Sequence, residues 1–128
     1  RCYCGRRGCI ETFLSGPALA ADYARRGGEP TTTAQTIAAL AQNNDPLAQD
    51  VLSVFLNYFG QALATIINIL DPHVVVIGGG LSCIDALYSR GRDAAAQYVF
   101  NDEFVTPIVS NINGDSAGVR GAAQLWPT

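Results

Sequence analysis

Leu70-Asp71-Pro72-His73-Val74-Val75-Val76-Ile77-Gly78-Gly79-Gly80-Leu81-Ser82 decides the class of this fold. Asp-Pro stops the helix before it, because the residue preceding a proline is pushed out of the helical region and proline has no N–H to offer. His73 to Ile77 is then a continuous, mostly β-branched run, the pattern of a strand buried on both faces of a parallel sheet. Three glycines follow at once, then a polar cluster from Ser82 to Asp85, and a helix is expected from about Ala86 to Phe100. Strand, turn and helix make a βα unit, and ligands of open α/β sheets bind at the carboxyl ends of such strands. Three residues without a Cβ let a nucleotide's sugar, base or phosphate lie on the backbone. The same glycines also suit a plain strand-to-helix turn, and they match neither GxGxxG nor a P-loop.

Upstream, Asp45-Pro46 opens the longest element. Asp45 is a good N-cap and Pro46 sits where the first helical N–H has no partner anyway. Val51, Phe55, Tyr58, Ala62, Ile66 and Ile69 follow a helical period, and Leu52, Leu56, Phe59, Leu63, Ile67 and Leu70 repeat it one step on. The wide apolar stripe predicts a helix from Pro46 to Leu70 packed on more than one side, about 37 Å long. Gly60 weakens that helix by about 1 kcal/mol relative to alanine, which points to a close packing partner. Further upstream, Glu11 to Arg26 reads as helical in one or two pieces, with Ser15 as a cap before Gly16-Pro17 and Gly27-Gly28 as a stop. Thr33 caps a short helix over Ala34 to Ala41. Downstream, Thr106 to Ser110 is a short strand. Asn113-Gly114-Asp115 is a turn whose aspartate caps a last helix, Ser116 to Leu125, with Gly118, Gly121 and Ala122 as a small-residue face.

The amino end carries the densest chemistry, Arg1-Cys-Tyr-Cys-Gly-Arg-Arg-Gly-Cys-Ile-Glu11. Three of the chain's four cysteines, Cys2, Cys4 and Cys9, lie within eight positions. Cys2 and Cys4 are too close to bridge comfortably, and Gly5 and Gly8 let the backbone bring Cys9 back to them. Three thiolates on one turn are three sides of a tetrahedral zinc site. The fourth side is open between remote residues, His73 and Cys83. The alternative is a set of ordinary reduced thiols; four cysteines in 128 residues do not make a disulfide framework.

These stretches also carry a resemblance. Cys2 to Glu11 resembles the CxCGxxGCxE motif of the ROK family (repressors, open reading frames and sugar kinases). Leu70 to Ser82 resembles that family's second signature, Asp-Pro leading a strand into Gly-Gly-Gly-x-Ser. Gly114-Asp-Ser-Ala-Gly-Val-Arg-Gly-Ala-Ala123 is similar to its closing helix. In detail, Cys-Tyr-Cys-Gly, Ile-Glu-Thr-Phe-Leu-Ser-Gly and the terminal Leu-Trp-Pro are most similar to the bacterial fructokinase branch.

The resemblance implies an α/β fold of the actin-like ATPase (ribonuclease H-like) kind, with residues 1–128 a single α/β domain forming the C-terminal half of a two-domain sugar kinase. It implies ATP-dependent phosphorylation of a hexose, fructose to fructose 6-phosphate, with ATP and Mg²⁺. A structural Zn²⁺ would sit on Cys2, Cys4 and Cys9, its fourth ligand a histidine upstream of the first cysteine. Glu11 would accept hydrogen bonds from sugar hydroxyls, a role a carboxylate fills with charge-assisted strength. Gly78, Gly79 and Gly80 would lie by the adenosine half of ATP, with Ser82 and Asp115 as further candidates and Asp85 as a helix cap. The family's Asp base and Asp-x-Gly phosphate loop stand upstream of the cysteine motif, so no catalytic residue is expected in this chain and the isolated chain is expected to be inactive. A homodimer is implied too. Two other functions stay open: the sugar-responsive body of a ROK transcriptional repressor, and a zinc-stabilised interaction module.

Composition narrows the classes. Apolar residues make up 48% and charged residues 15%, a globular balance. Net charge of −3 argues against a nucleic-acid surface in these residues. The apolar run from Ile66 to Ile77 is broken by Asn68, Asp71, Pro72 and His73, so no membrane span is expected. Reduced thiols and no targeting segment point to the cytoplasm.

Overall fold

The computed structural model describes residues 1–101, 103–114 and 116–125. The helices are α1 (Gly16–Arg25), α2 (Ala34–Gln42), α3 (Pro46–Leu70), α4 (Arg90–Ala96) and α5 (Ala117–Gln124), with strands β1 (Val75–Ile77) and β2 (Ile108–Ser110). The first three helices begin where capping chemistry places them. The side chains of Ser15, Thr33 and Asp45 accept from the N–H groups of Ala18, Thr36 and Ala48 at 3.1, 3.2 and 2.7 Å. Each such cap is worth about 1 kcal/mol. Asp71 ends α3 in the left-handed region, at φ 43°, its N–H bonded to the Ile67 carbonyl.

The 25-residue α3 is the spine. Its first half joins Leu19 and Tyr23 of α1, Ile37 and Ala41 of α2, and Ile84 and Leu87 in one buried cluster through Val51, Leu52, Phe55 and Leu56. Its second half joins Ala95 of α4 and Ile108 of β2 through Leu63 and Ile67. Fully burying a side chain of this size contributes about 1.5–3 kcal/mol relative to leaving it in water. By length and composition α3 is also apolar enough to cross a membrane. Val51, Leu52, Phe55, Leu56, Leu63 and Ile67 instead serve two packed faces, while Tyr58, Ile66, Ile69 and Leu70 of the predicted stripe stay exposed. Gly60 sits against α4: a Cβ there would lie 2.6 Å from the Ala94 carbonyl carbon and 2.7 Å from the Ala95 nitrogen. The close partner expected at this glycine is the backbone of α4.

β1 and β2 pair in parallel, Val75 opposite Ile108 and Ile77 opposite Ser110. The strand is shorter than the sequence predicts, and it is not buried on both faces. Val75 and Ile77 turn toward the second cluster, while Val74 and Val76 remain 46% and 57% exposed. The described residues supply helices on one side and one neighbouring strand, and none of them covers the other face.

The helix expected over Ala86 to Phe100 also contracts. Two 3-10 turns, Gly80–Cys83 and Asp85–Leu87, precede the seven-residue α4. Ile84 and Leu87 are each 1% exposed, seated in the cluster shared with α2 and α3. Asp85 caps nothing: Ile84 holds the cap position of its turn, which has no side-chain cap bond. α5 forms within a residue of its expected bounds, yet Cβ atoms built on Gly118 and Gly121 would meet nothing within 4 Å. The small-residue face therefore has no neighbour among the described residues.

Candidate functional site

The amino-terminal turn is built by its glycines. Gly5 and Gly8 have φ of 83° and 74°, where a side chain would be strained. The Cys2 N–H bonds the Arg6 carbonyl at 2.9 Å and the Gly5 N–H bonds the Cys2 carbonyl at 3.0 Å. This folds the three sulfurs together: the Sγ atoms of Cys2, Cys4 and Cys9 all lie within 4.8 Å of one another, and Cys4 and Cys9 are 3.5 Å apart. A tetrahedral zinc with bonds of about 2.3 Å would hold thiolates about 3.8 Å apart, so the cluster fits that ion with small adjustment. Hydrogen bonding from the Arg6 backbone, then from the Cys9 and Cys2 thiols, holds the Cys4 thiol below its ordinary pKa. The Cys4 side chain, with some desolvation, pushes Cys9 the other way. Neither His73 nor Cys83 joins the cluster.

The turn delivers Glu11 directly. Cys9 is the residue before the 3-10 turn Ile10–Thr12, and the Thr12 hydroxyl donates to the Cys9 carbonyl at 2.6 Å. Glu11 is exposed, and among the described residues its carboxylate makes no hydrogen bond or ion pair. It stands free to accept from a ligand.

At the end of β1 the glycine turn takes a shape that only its glycines permit. Gly79 has φ 70° and ψ −172°, a region closed to residues with a Cβ. The turn is held from three sides. The Ser82 hydroxyl donates to the Gly79 carbonyl at 2.7 Å, Gln35 Nε2 of α2 donates to the Gly80 carbonyl at 3.2 Å, and the Tyr88 hydroxyl donates to the Ser82 carbonyl at 2.7 Å. Ser82 is 6% exposed, so its hydroxyl serves the turn from beneath. Ser82, expected near the ligand, bonds the backbone of the turn itself. Asp115 lies outside the described residues.

Glu11 and the glycine turn, about seventy positions apart, line one open cleft of about 820 Å³. Its other walls are the capped starts of α1 (Ser15, Gly16, Pro17) and α2 (Thr33, Ala34, Gln35). Helix starts present N–H groups and partial positive charge, so a carboxylate and two such starts give the cleft both acceptors and donors. Gln35 was not legible as a site residue. Only its position just inside a helix start gave a hint, and the partner that matters is 45 residues away.

The sequence profile of the ROK family matches residues 1–128. An N-acetyl-D-glucosamine kinase from Haemophilus influenzae is 35% identical over 128 residues, covering all of this chain and 42% of that protein. A ROK family glucokinase from Streptomyces griseus, solved with glucose and AMPPNP, superposes with a TM-score of 0.82 at 25% identity, covering 95% of this chain and 45% of the other. A ROK family transcriptional regulator, a homologue of the E. coli MLC protein, gives a TM-score of 0.68 at 30% identity over 86% of this chain and 31% of its own. The chain thus spans less than half the length of each.

Proposed function

From its membership of the ROK family, to which the chain belongs over residues 1–128, we propose that the complete protein transfers a phosphoryl group from ATP to a hexose. The fold is that of the ROK sugar kinases, an actin-like ATPase architecture. The observation that carries the proposal is the shared cleft: a free carboxylate, Glu11, at one end and a glycine turn stripped of Cβ atoms at the other. A sugar hydroxyl pair suits the first, and the adenosine half of ATP suits Gly78, Gly79 and Gly80.

Phosphoryl transfer rests on positioning and charge neutralisation. These residues would orient the sugar and seat the nucleotide, while the base, the β/γ-phosphate loop and the Mg²⁺ ligands come from residues outside this chain. Zn²⁺ would be held by Cys2, Cys4 and Cys9 with a fourth ligand from elsewhere in the protein. Bound there, it would stabilise the turn that carries Glu11, two residues beyond the last thiolate.

The sugar in this reading is a hexose. Sequence detail favours fructose, whereas the relatives reported above are named for N-acetyl-D-glucosamine and glucose. ADP release by the complete protein with Mg²⁺, ATP and each of these three sugars decides it. Glu11→Gln removes the charge from a charge-assisted hydrogen bond, and should raise KM for the accepted sugar about tenfold with KM for ATP little changed. Unchanged sugar kinetics would take Glu11 out of the site. The regulator homologue supports a second possibility, a repressor whose sugar-binding body shares this fold. ATP-independent sugar binding coupled to operator release, with no turnover on any sugar, would favour it.

A further inference from the structure

The glycine turn has a support that neither the motifs nor the comparisons assign. Asn111 follows the last residue of β2, at the same carboxyl edge of the sheet as the turn after β1. Its backbone N–H bonds the Ile77 carbonyl at 3.0 Å. Its side-chain Nδ2 donates to the same carbonyl and to the Ser82 hydroxyl oxygen, both at 3.3 Å. That hydroxyl in turn donates to the Gly79 carbonyl at 2.7 Å. The other end of the carboxamide is also engaged: Oδ1 accepts from the Asn113 N–H at 3.0 Å, in the turn that leads to α5.

We infer that Asn111 is a positioning residue for the nucleotide, a two-ended link that sets the glycine turn through Ser82 and ties it to the loop after β2. Every bond in the link has one donor and one acceptor, so the carboxamide has a single productive orientation. With Nδ2 facing Ser82, the hydroxyl's own proton is directed to Gly79. The Gly79 carbonyl is thereby turned into the protein, and the turn's ligand-facing side stays as the glycines shape it. This rests on the proposal that ATP lies at the glycine turn.

Asn111→Asp tests it with almost no change in shape. The carboxylate still accepts from the Asn113 N–H but now presents an acceptor to Ile77 and Ser82. The Ser82 proton is drawn to the carboxylate, and its bond to Gly79 is lost. In the complete protein, Asn111→Asp and Ser82→Ala should each raise KM for ATP about fivefold, the factor expected for one net hydrogen bond. KM for the sugar and kcat should stay within about twofold, and the double variant should be no worse than the worse single one, as for members of one network. Melting curves record whether each variant folds; if Asn111→Asp does not, Ser82→Ala carries the same expectation. Gly79→Ala is measured beside them. If Gly79→Ala raises KM for ATP and Asn111→Asp and Ser82→Ala do not, the positioning role is refuted. If all of them lower stability and kcat with no split between the two KM values, Asn111 is structural only. If Gly79→Ala itself leaves KM for ATP unchanged, the nucleotide lies elsewhere, and the proposed function of the turn fails with it.

Discussion

Gly60→Ala should destabilise the protein although it improves the helix. On propensity alone, alanine in the middle of α3 gains about 1 kcal/mol. The structure reverses the sign. The added Cβ would stand 2.6 Å from the Ala94 carbonyl carbon, 2.7 Å from the Ala95 nitrogen and 2.8 Å from the Ala94 Cβ. Carbon atoms settle about 3.5–4.0 Å apart, so α4 must retreat by about 1 Å. Two of the three contacts are backbone and cannot rotate away. Retreat also lifts Ala95, fully buried, from its place beside Leu63, Ile67 and Ile108, and a gap of that size forfeits about a quarter to a half of each contact's attraction. Overpacking typically costs about 1–3 kcal/mol, and its upper range applies where backbone must move. After the propensity gain, a net loss of about 1–2 kcal/mol is expected. Urea titration of the complete protein followed by circular dichroism measures it. The companion variant Ala94→Gly removes only the 2.8 Å contact, so combining the two should not restore stability. A neutral or stabilised Gly60→Ala, or full rescue by Ala94→Gly, would refute the backbone contact.

Metal analysis of the complete protein should find one zinc per chain. Its removal by a chelator should lower the melting temperature and raise KM for the sugar more than KM for ATP, because the cysteine turn carries Glu11 and not the glycines; a zinc-free preparation with full activity would make the cysteines bystanders. In the metal-free protein, Cys4 should be alkylated at lower pH than Cys9. A thiol held below its ordinary pKa has the larger thiolate fraction as pH rises, and Cys9 is shifted upward. Peptide mass spectrometry after iodoacetamide at stepped pH checks the order, and Cys9 reacting first would contradict the local hydrogen bonding described at Arg6.

Much of this protein is local and therefore legible. Ser15, Thr33 and Asp45 cap the helices that follow them, as the sequence predicts, because a cap joins residues three positions apart. Pro46 to Leu70 is one helix to the residue, since its wide stripe needs no knowledge of what packs on it. Gly60 announced a close neighbour without saying which. The cysteine cluster was equally readable, since two glycines over eight residues suffice to close it.

What only the tertiary structure decided involves partners far apart along the chain. Val74 and Val76 look identical in sequence to Val75, yet one neighbouring strand and one layer of helices leave them exposed. Burial depends on what covers a face, and a β-branched run does not encode that. The chain after the glycines takes two tight turns before a short helix, and Ile84 and Leu87 reach a core made with α2 and α3 that lies far from them in sequence. The Ser82 hydroxyl lies beneath the glycine turn, bonded to Gly79 and to Asn111, 29 residues on. Glu11 and Gly78–Gly80 become one cleft only when α1 and α2 fold between them, for a site's residue types can be read from a chain but its distances cannot.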